Sequence, residues 1–120
     1  MAISHYRELI TWQKAMDLVV EVYRRTRSFP TDELYALTTQ VRKAAVSVPS
    51  NIAEGQGRGT AADFGRFLLI ANGSRQEVET QMLIALRLGY IHQEALDSIL
   101  ALASEVGRLI SGLNRSIAGN

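Results

Sequence analysis

The sequence predicts an all-α chain, an antiparallel up-down four-helix bundle with a proline-kinked second helix. Three observations lead there. Apolar residues recur at spacings of three and four through four long stretches, while strand-like alternation is nearly absent. The breaks between those stretches are short: Phe29-Pro30-Thr31, a glycine-bearing run at 55–59, and Gly89-Tyr90-Ile91-His92. Finally, 120 residues with 47% hydrophobic and 21% charged content are the size and composition of one globular domain. Such a chain buries roughly two-thirds of its unfolded surface, so residues 1–120 are expected to form a single domain.

The first helix is expected from about 12 to 27, with Trp12, Ala15, Met16, Val19, Val22 and Tyr23 on one face. Lys14, Asp17, Glu21, Arg24 and Arg25 occupy the other, and Glu21 with Arg25 is an i,i+4 pair in the favourable order. After Pro30, Thr31 is placed to cap a new helix whose positive end receives Asp32 and Glu33. That second helix, about 32 to 56, carries Leu34, Leu37, Val41, Ala44, Ala45, Val48 and Ile52. Pro49 removes one backbone donor and pushes against the carbonyl of Ala45, yet the apolar stripe continues in phase across it. The pattern therefore describes one kinked helix rather than two.

A third helix, about 61 to 88, aligns Phe64, Phe67, Leu68, Ala71, Val78, Met82, Ala85 and Leu86. The fourth, after the Gly89–His92 turn, repeats Leu96, Ile99, Ala103, Val106, Ile110, Leu113 and Ile117. At 1.5 Å per residue the second and third helices would each be roughly 40 Å long.

The stretch SVPSNIAEGQGRGT raises the question of a phosphate-cradling loop, because glycines alternate at 55, 57 and 59. A P-loop needs a Gly-Lys-Ser/Thr ending, which is absent. The dinucleotide fingerprint needs a glycine where Thr60 stands and a strand before it. Gly55 and Gly57 instead sit where a helix C-terminus takes a left-handed residue, and Thr60 with Asp63 resembles a capping box. The run is expected to be a hinge between helices; an anion retains one route there, Arg58 beside the next helix N-terminus.

Bulk properties exclude several classes. Without cysteine there are no disulfides, thiol nucleophiles or thiolate metal sites, which suits a reducing cytoplasm. The start, MAISHYRELITW, lacks a signal-peptide pattern, and the longest apolar run, Phe67 to Ala71, is far short of a membrane span. A cytoplasmic protein with no membrane partner is expected. Enzymatic apparatus is not visible. The two histidines, His5 and His92, fall near the start and in a turn, and no Glu-x-x-His pair offers a di-iron site. Glu77 and Glu79 diverge on a helix, and the serines lack a neighbouring base. No catalytic residue, metal or cofactor is assigned.

Two features point instead to assembly. Leu69, Leu83 and Ile84 lie away from the core face of the third helix, and Leu102 and Leu109 widen the seam of the fourth; a second copy would cover such an oligomer interface. Polar residues also project inward. Arg75 is expected to contact Glu54, with Asn51 and Glu79 helping to satisfy the guanidinium, a group that fixes register or oligomer geometry.

The segments QVRKAAVSVPSNIAEGQGR and FGRFLLIANGSRQEVETQMLIALRLGYI, with YRELITWQKAMDLVVEVYRRTRSFP before them, resemble the four-helix-bundle family of 23S rRNA intervening-sequence proteins. The motif Pro-Ser-Asn-Ile-Ala-Glu-Gly at 49–55 with Arg58 is its most specific part, and the likeness runs from about Tyr6 to Ile91. The resemblance implies a four-helix protomer in a ring-shaped pentamer with no catalytic activity. The family is similar to the accessory protein of diversity-generating retroelements, which implies a nucleic-acid partner and a polymerase-type protein partner. Net charge here is only +1, so phosphate binding would rest on local clusters: Arg24, Arg25 and Arg27, with Arg42 and Lys43 further on. No aromatic interleaves with these arginines in the sequence to offer base stacking. The alternative is a protein-binding adaptor oligomer without nucleic-acid affinity.

Overall fold

A computed structural model describes residues 5–119. Its four long helices are α1 (Ile10–Thr26), α2 (Thr39–Gly57), α3 (Ala61–Arg87) and α4 (Gln93–Ala118). Each packs on its neighbour in sequence, and α1 closes the ring of contacts on α4. The result is the expected four-helix bundle, 46 × 24 × 19 Å, and no strand occurs among the described residues.

Two apolar clusters stack along its axis. One joins Leu18, Val22, Val41, Val78, Met82, Leu96 and Ile99 with Phe29 and Ile91. The other joins Ala15, Val48, Ile52, Leu68, Ala71, Val106 and Ile110. The buried residues of α2, α3 and α4 thus follow the apolar periodicity of the sequence closely.

The phase of α1 differs from the expectation. Its buried stripe is Thr11, Ala15, Leu18, Val22 and Thr26, with Glu21 beside it, while Met16 and Tyr23 are exposed. The expected face was centred about one residue away because Glu21 was assigned to solvent. Once its carboxylate finds partners inside, Leu18 becomes the centre of the face.

The second helix also starts later than expected. Thr31–Glu33 is a 3₁₀ turn and Leu34–Thr38 a π-helical turn, with Ala36 at φ −125°, ψ −107° outside helical geometry. Side chains replace part of the regular ladder there: the Leu37 amide donates to the Glu33 carboxylate and the Thr39 hydroxyl to the Leu34 carbonyl. The Tyr90 hydroxyl donates to the other Glu33 oxygen at 2.8 Å, tying this segment to the α3–α4 turn. Leu34, placed in the core stripe by periodicity, is exposed. Pro49, by contrast, lies buried inside an α2 that continues through it, and the departure from helical backbone falls at Ala36.

The glycine run is a junction, with its roles distributed differently. The left-handed residue is Gly59 (φ 86°), not Gly55 or Gly57. Gly55 is buried where α2 and α3 meet, and a Cβ there would lie 2.6 Å from the Phe67 Cβ. The Thr60 hydroxyl accepts from the Asp63 amide at 3.2 Å, completing the expected cap of α3.

Candidate nucleic-acid interface

The five basic residues singled out in the sequence separate into two groups. Arg24 and Arg25, on the last turns of α1, both converge on Glu21. Arg25 Nε donates to Oε2 at 3.0 Å and Arg24 Nε to Oε1 at 3.0 Å. Ser98 of α4 adds a third donor at 2.7 Å. Glu21 is only 5% exposed. Burial alone would raise its pKa; the Ser98, Arg24 and Arg25 hydrogen bonds and the Arg24 charge outweigh it and lower the value to about 2. Much of the charge of these two arginines is therefore answered within the chain. Arg27, the C-cap of α1, is exposed and makes no ion pair among the described residues.

Arg42 and Lys43 sit differently. From α2, Arg42 Nε donates at 2.9 Å to the Thr26 hydroxyl, which itself donates at 2.8 Å to the Val22 carbonyl. This relay holds the guanidinium 4.7 Å from the centre of the Tyr23 ring, a cation–π contact. Only Nε is engaged by a hydrogen bond, which leaves the two terminal nitrogens for an outside acceptor. Together with Lys43, Thr39, Val46 and Ser47 they line an open cleft of about 530 Å³ between α1 and α2. No carboxylate lines it among the described residues.

An aromatic side chain does accompany the basic residues here, contrary to the sequence expectation. Tyr23 and Arg42 are nineteen positions apart on different helices, so no local pattern could pair them. Tyr23 is 41% exposed. Farther along the same α1–α2 seam lies an apolar groove containing Trp12, Met16, Val46 and Pro49. The chemistry of the cleft is thus two cations, three hydroxyls and one ring, a set suited to a phosphate with a flat group beside it.

The expected inward polar network forms with different partners. Arg75 Nη1 meets Glu79 at 3.0 Å and Nε meets Asn72 Oδ1 at 2.9 Å. There is no Arg75–Glu54 contact: Glu54 pairs with Arg58 at 2.7 Å. Asn51 donates to Ser47, whose hydroxyl bonds Ser74 at 2.8 Å across α2 and α3. The division follows from direction. Arg75 turns toward α4 and lies against Gly107, whereas Asn51 and Ser47 face α3 from α2.

Of the residues assigned to an assembly face, Leu69, Leu83 and Ile84 are exposed on α3, Leu69 at 63%. Leu102 is instead half-buried against the core, and Leu109 is half-buried on α4. The two do not share the exposure of the α3 leucines, because α4 turns this side partly inward. His92 is exposed in the α3–α4 turn, and the His5 ring is engaged by Arg7 at 3.1 Å. No helix of the described residues is long and apolar enough to cross a membrane.

A family model described as the 23S rRNA-intervening sequence protein matches residues 7–112. Among solved structures, the chain is similar to a protein of unknown function from the S23 ribosomal protein family of Bacteroides thetaiotaomicron. The TM-score is 0.81 at 21% identity, over 88% of this chain and 96% of that one. At that identity the likeness speaks for the fold. No curated protein matches the chain.

Proposed function

This chain belongs to the 23S rRNA-intervening sequence proteins, and from that premise we propose that it is a non-enzymatic, self-associating binding protein that engages the phosphates of RNA or DNA through its α1–α2 cleft. The observation that carries this reading is the pairing of Arg42 with Tyr23 beside Lys43 in a cleft without a carboxylate. A guanidinium held by one relay hydrogen bond keeps its outer nitrogens fixed in direction, which suits bidentate phosphate contact. Lys43 adds a point charge, and the Tyr23 ring offers a partner for an unstacked base.

Self-association would repeat the cleft around a ring, a pentamer by the family resemblance, and turn a chain of net charge +1 into a surface with recurring basic sites. The exposed α3 leucines supply apolar area for such contacts. A polymerase-type protein, such as a reverse transcriptase, fits the same resemblance as a further partner. Arg24 and Arg25 are assigned a structural part, through Glu21, rather than the leading phosphate contacts.

The test uses fluorescence anisotropy of a labelled structured RNA and a DNA duplex. The variant R42Q/K43Q is expected to bind at least about tenfold more weakly than wild type, the scale of lost charge-assisted contacts. Its circular dichroism should be unchanged. Equal affinity of the two proteins would remove the cleft from the interaction. Absence of binding by wild type at low salt would favour the protein-binding adaptor, for which the apolar groove at Trp12 and Met16 is the surface to probe.

A further inference from the structure

On the far side of the bundle from the α1–α2 seam, the furrow between α3 and α4 gathers a second set of donors. Arg75, Arg108 and Arg115 line it with Ser104 and Ser111, in a space of about 430 Å³. Asn72 and Gly107 complete the walls. None of the sequence patterns assigned above groups these residues, since Arg75 comes from α3 and the others from one face of α4 at spacings of three and four.

The hydrogen bonds inside the furrow leave donors over. Arg75 spends Nε on Asn72 Oδ1 and Nη1 on Glu79, so Nη2 is available. Because Asn72 accepts through its oxygen, its amide NH₂ remains to donate. Arg108 Nη1 donates to the Ser104 hydroxyl at 2.8 Å, which leaves the hydroxyl proton of Ser104 to be given elsewhere. Three guanidinium groups line the furrow, none of its described lining residues is a carboxylate, and Glu79, outside the lining, is already bound to Arg75.

The site is also held in shape. The Arg75 side chain is only 13% exposed, and its guanidinium lies against Gly107, where a Cβ would come within 2.8 Å of both Cζ and Nε. Glycine at 107 is what leaves room for a guanidinium between two packed helices. A largely buried, doubly anchored arginine flanked by two exposed ones is an arrangement suited to a tetrahedral oxyanion, with one fixed fork and two further cations beside it.

We propose that the α3–α4 furrow of Arg75, Arg108, Arg115, Ser104 and Ser111 is a binding site for a phosphoryl oxyanion, separate from the α1–α2 cleft. That chemistry has two sources, a free phosphate and the phosphodiester of a nucleic-acid strand, and the two are separable by experiment. The variant to use is R108Q/R115Q, which removes exposed side chains and spares the packed Arg75. Amide chemical shifts are followed while the protein is titrated with sodium phosphate against sodium chloride at matched ionic strength, and separately with a short single-stranded oligonucleotide.

Saturable shifts at Gly107 and Ser111 with phosphate, weakened at least about tenfold in R108Q/R115Q, are expected from the loss of two charge-assisted donors. Shifts at the same amides with the oligonucleotide alone, lost in the same variant, assign the phosphoryl group to the strand. Running both arms in R42Q/K43Q protein separates this site from the cleft, since the furrow shifts should survive there. No response at Gly107 and Ser111 to either probe overturns the proposal, as does an equal response from R108Q/R115Q.

Discussion

Glu21 shows how much one buried carboxylate organises. The helical face of α1 turns to bring it inside, and its two oxygens collect Arg24, Arg25 and Ser98. Its pKa in the fold is about 2 against an ordinary 4.5. A depressed folded pKa contributes stability that is fully present above 4.5 and is lost as the pH falls toward 2. Replacing Glu21 by Gln is expected to cost roughly 2 kcal/mol at neutral pH, a figure discounted for the solvent exposure of Arg24 and Arg25. The same variant should flatten the acid dependence of urea midpoints over that window. A wild-type slope retained in E21Q would place the acid-sensitive group elsewhere. The sequence displayed the Glu21–Arg25 spacing but not the burial, because Ser98 arrives from seventy-seven positions away.

At the scale of elements, the packed helix junction depends on two glycines with opposite demands. Gly55 touches Phe67, and a methyl group there forces backbone apart at the α2–α3 contact. Gly57 has open space around it and ends α2 with ordinary helical geometry. Substituting alanine at 55 is expected to destabilise by about 2 kcal/mol through overpacking. Alanine at 57 should be neutral or stabilising by up to about 0.5 kcal/mol through helix propensity. Thermal unfolding of the two variants checks the contrast, and equal melting temperatures would contradict it. Helices α2, α3 and α4 were legible because their apolar residues recur with the helical period. The 31–38 segment was not, since its geometry depends on Glu33 bonding Tyr90 at the opposite end of a hairpin. Likewise, the identity of the glycine that turns left-handed, Gly59, follows from where α3 must begin, which composition does not state.

At the scale of the whole molecule, the proposed phosphate binding must come from local clusters, since the net charge is only +1. The basic residues and the Glu21–Arg25 spacing were visible in the sequence, and the rest of their division was not: α1 spends Arg24 and Arg25 on its own Glu21, which Ser98 of α4 helps to bury, while Arg42 of α2 gains Tyr23 as a neighbour. The proposed assembly would multiply whatever each cleft contributes. Native mass spectrometry is expected to give about five times the 13.2 kDa chain mass, and glutamate at both Leu69 and Leu83 should shift the population toward the single-chain mass. A wild-type protein found only at the single-chain mass would remove the ring. The most direct measurement is the salt dependence of nucleic-acid binding, followed by anisotropy from low to physiological ionic strength. A linear fall of log K with log salt is expected, with R42Q/K43Q lowering the slope by about 2 for each engaged cleft. No binding at low salt, or a slope identical in the variant, contradicts phosphate recognition by the α1–α2 cleft.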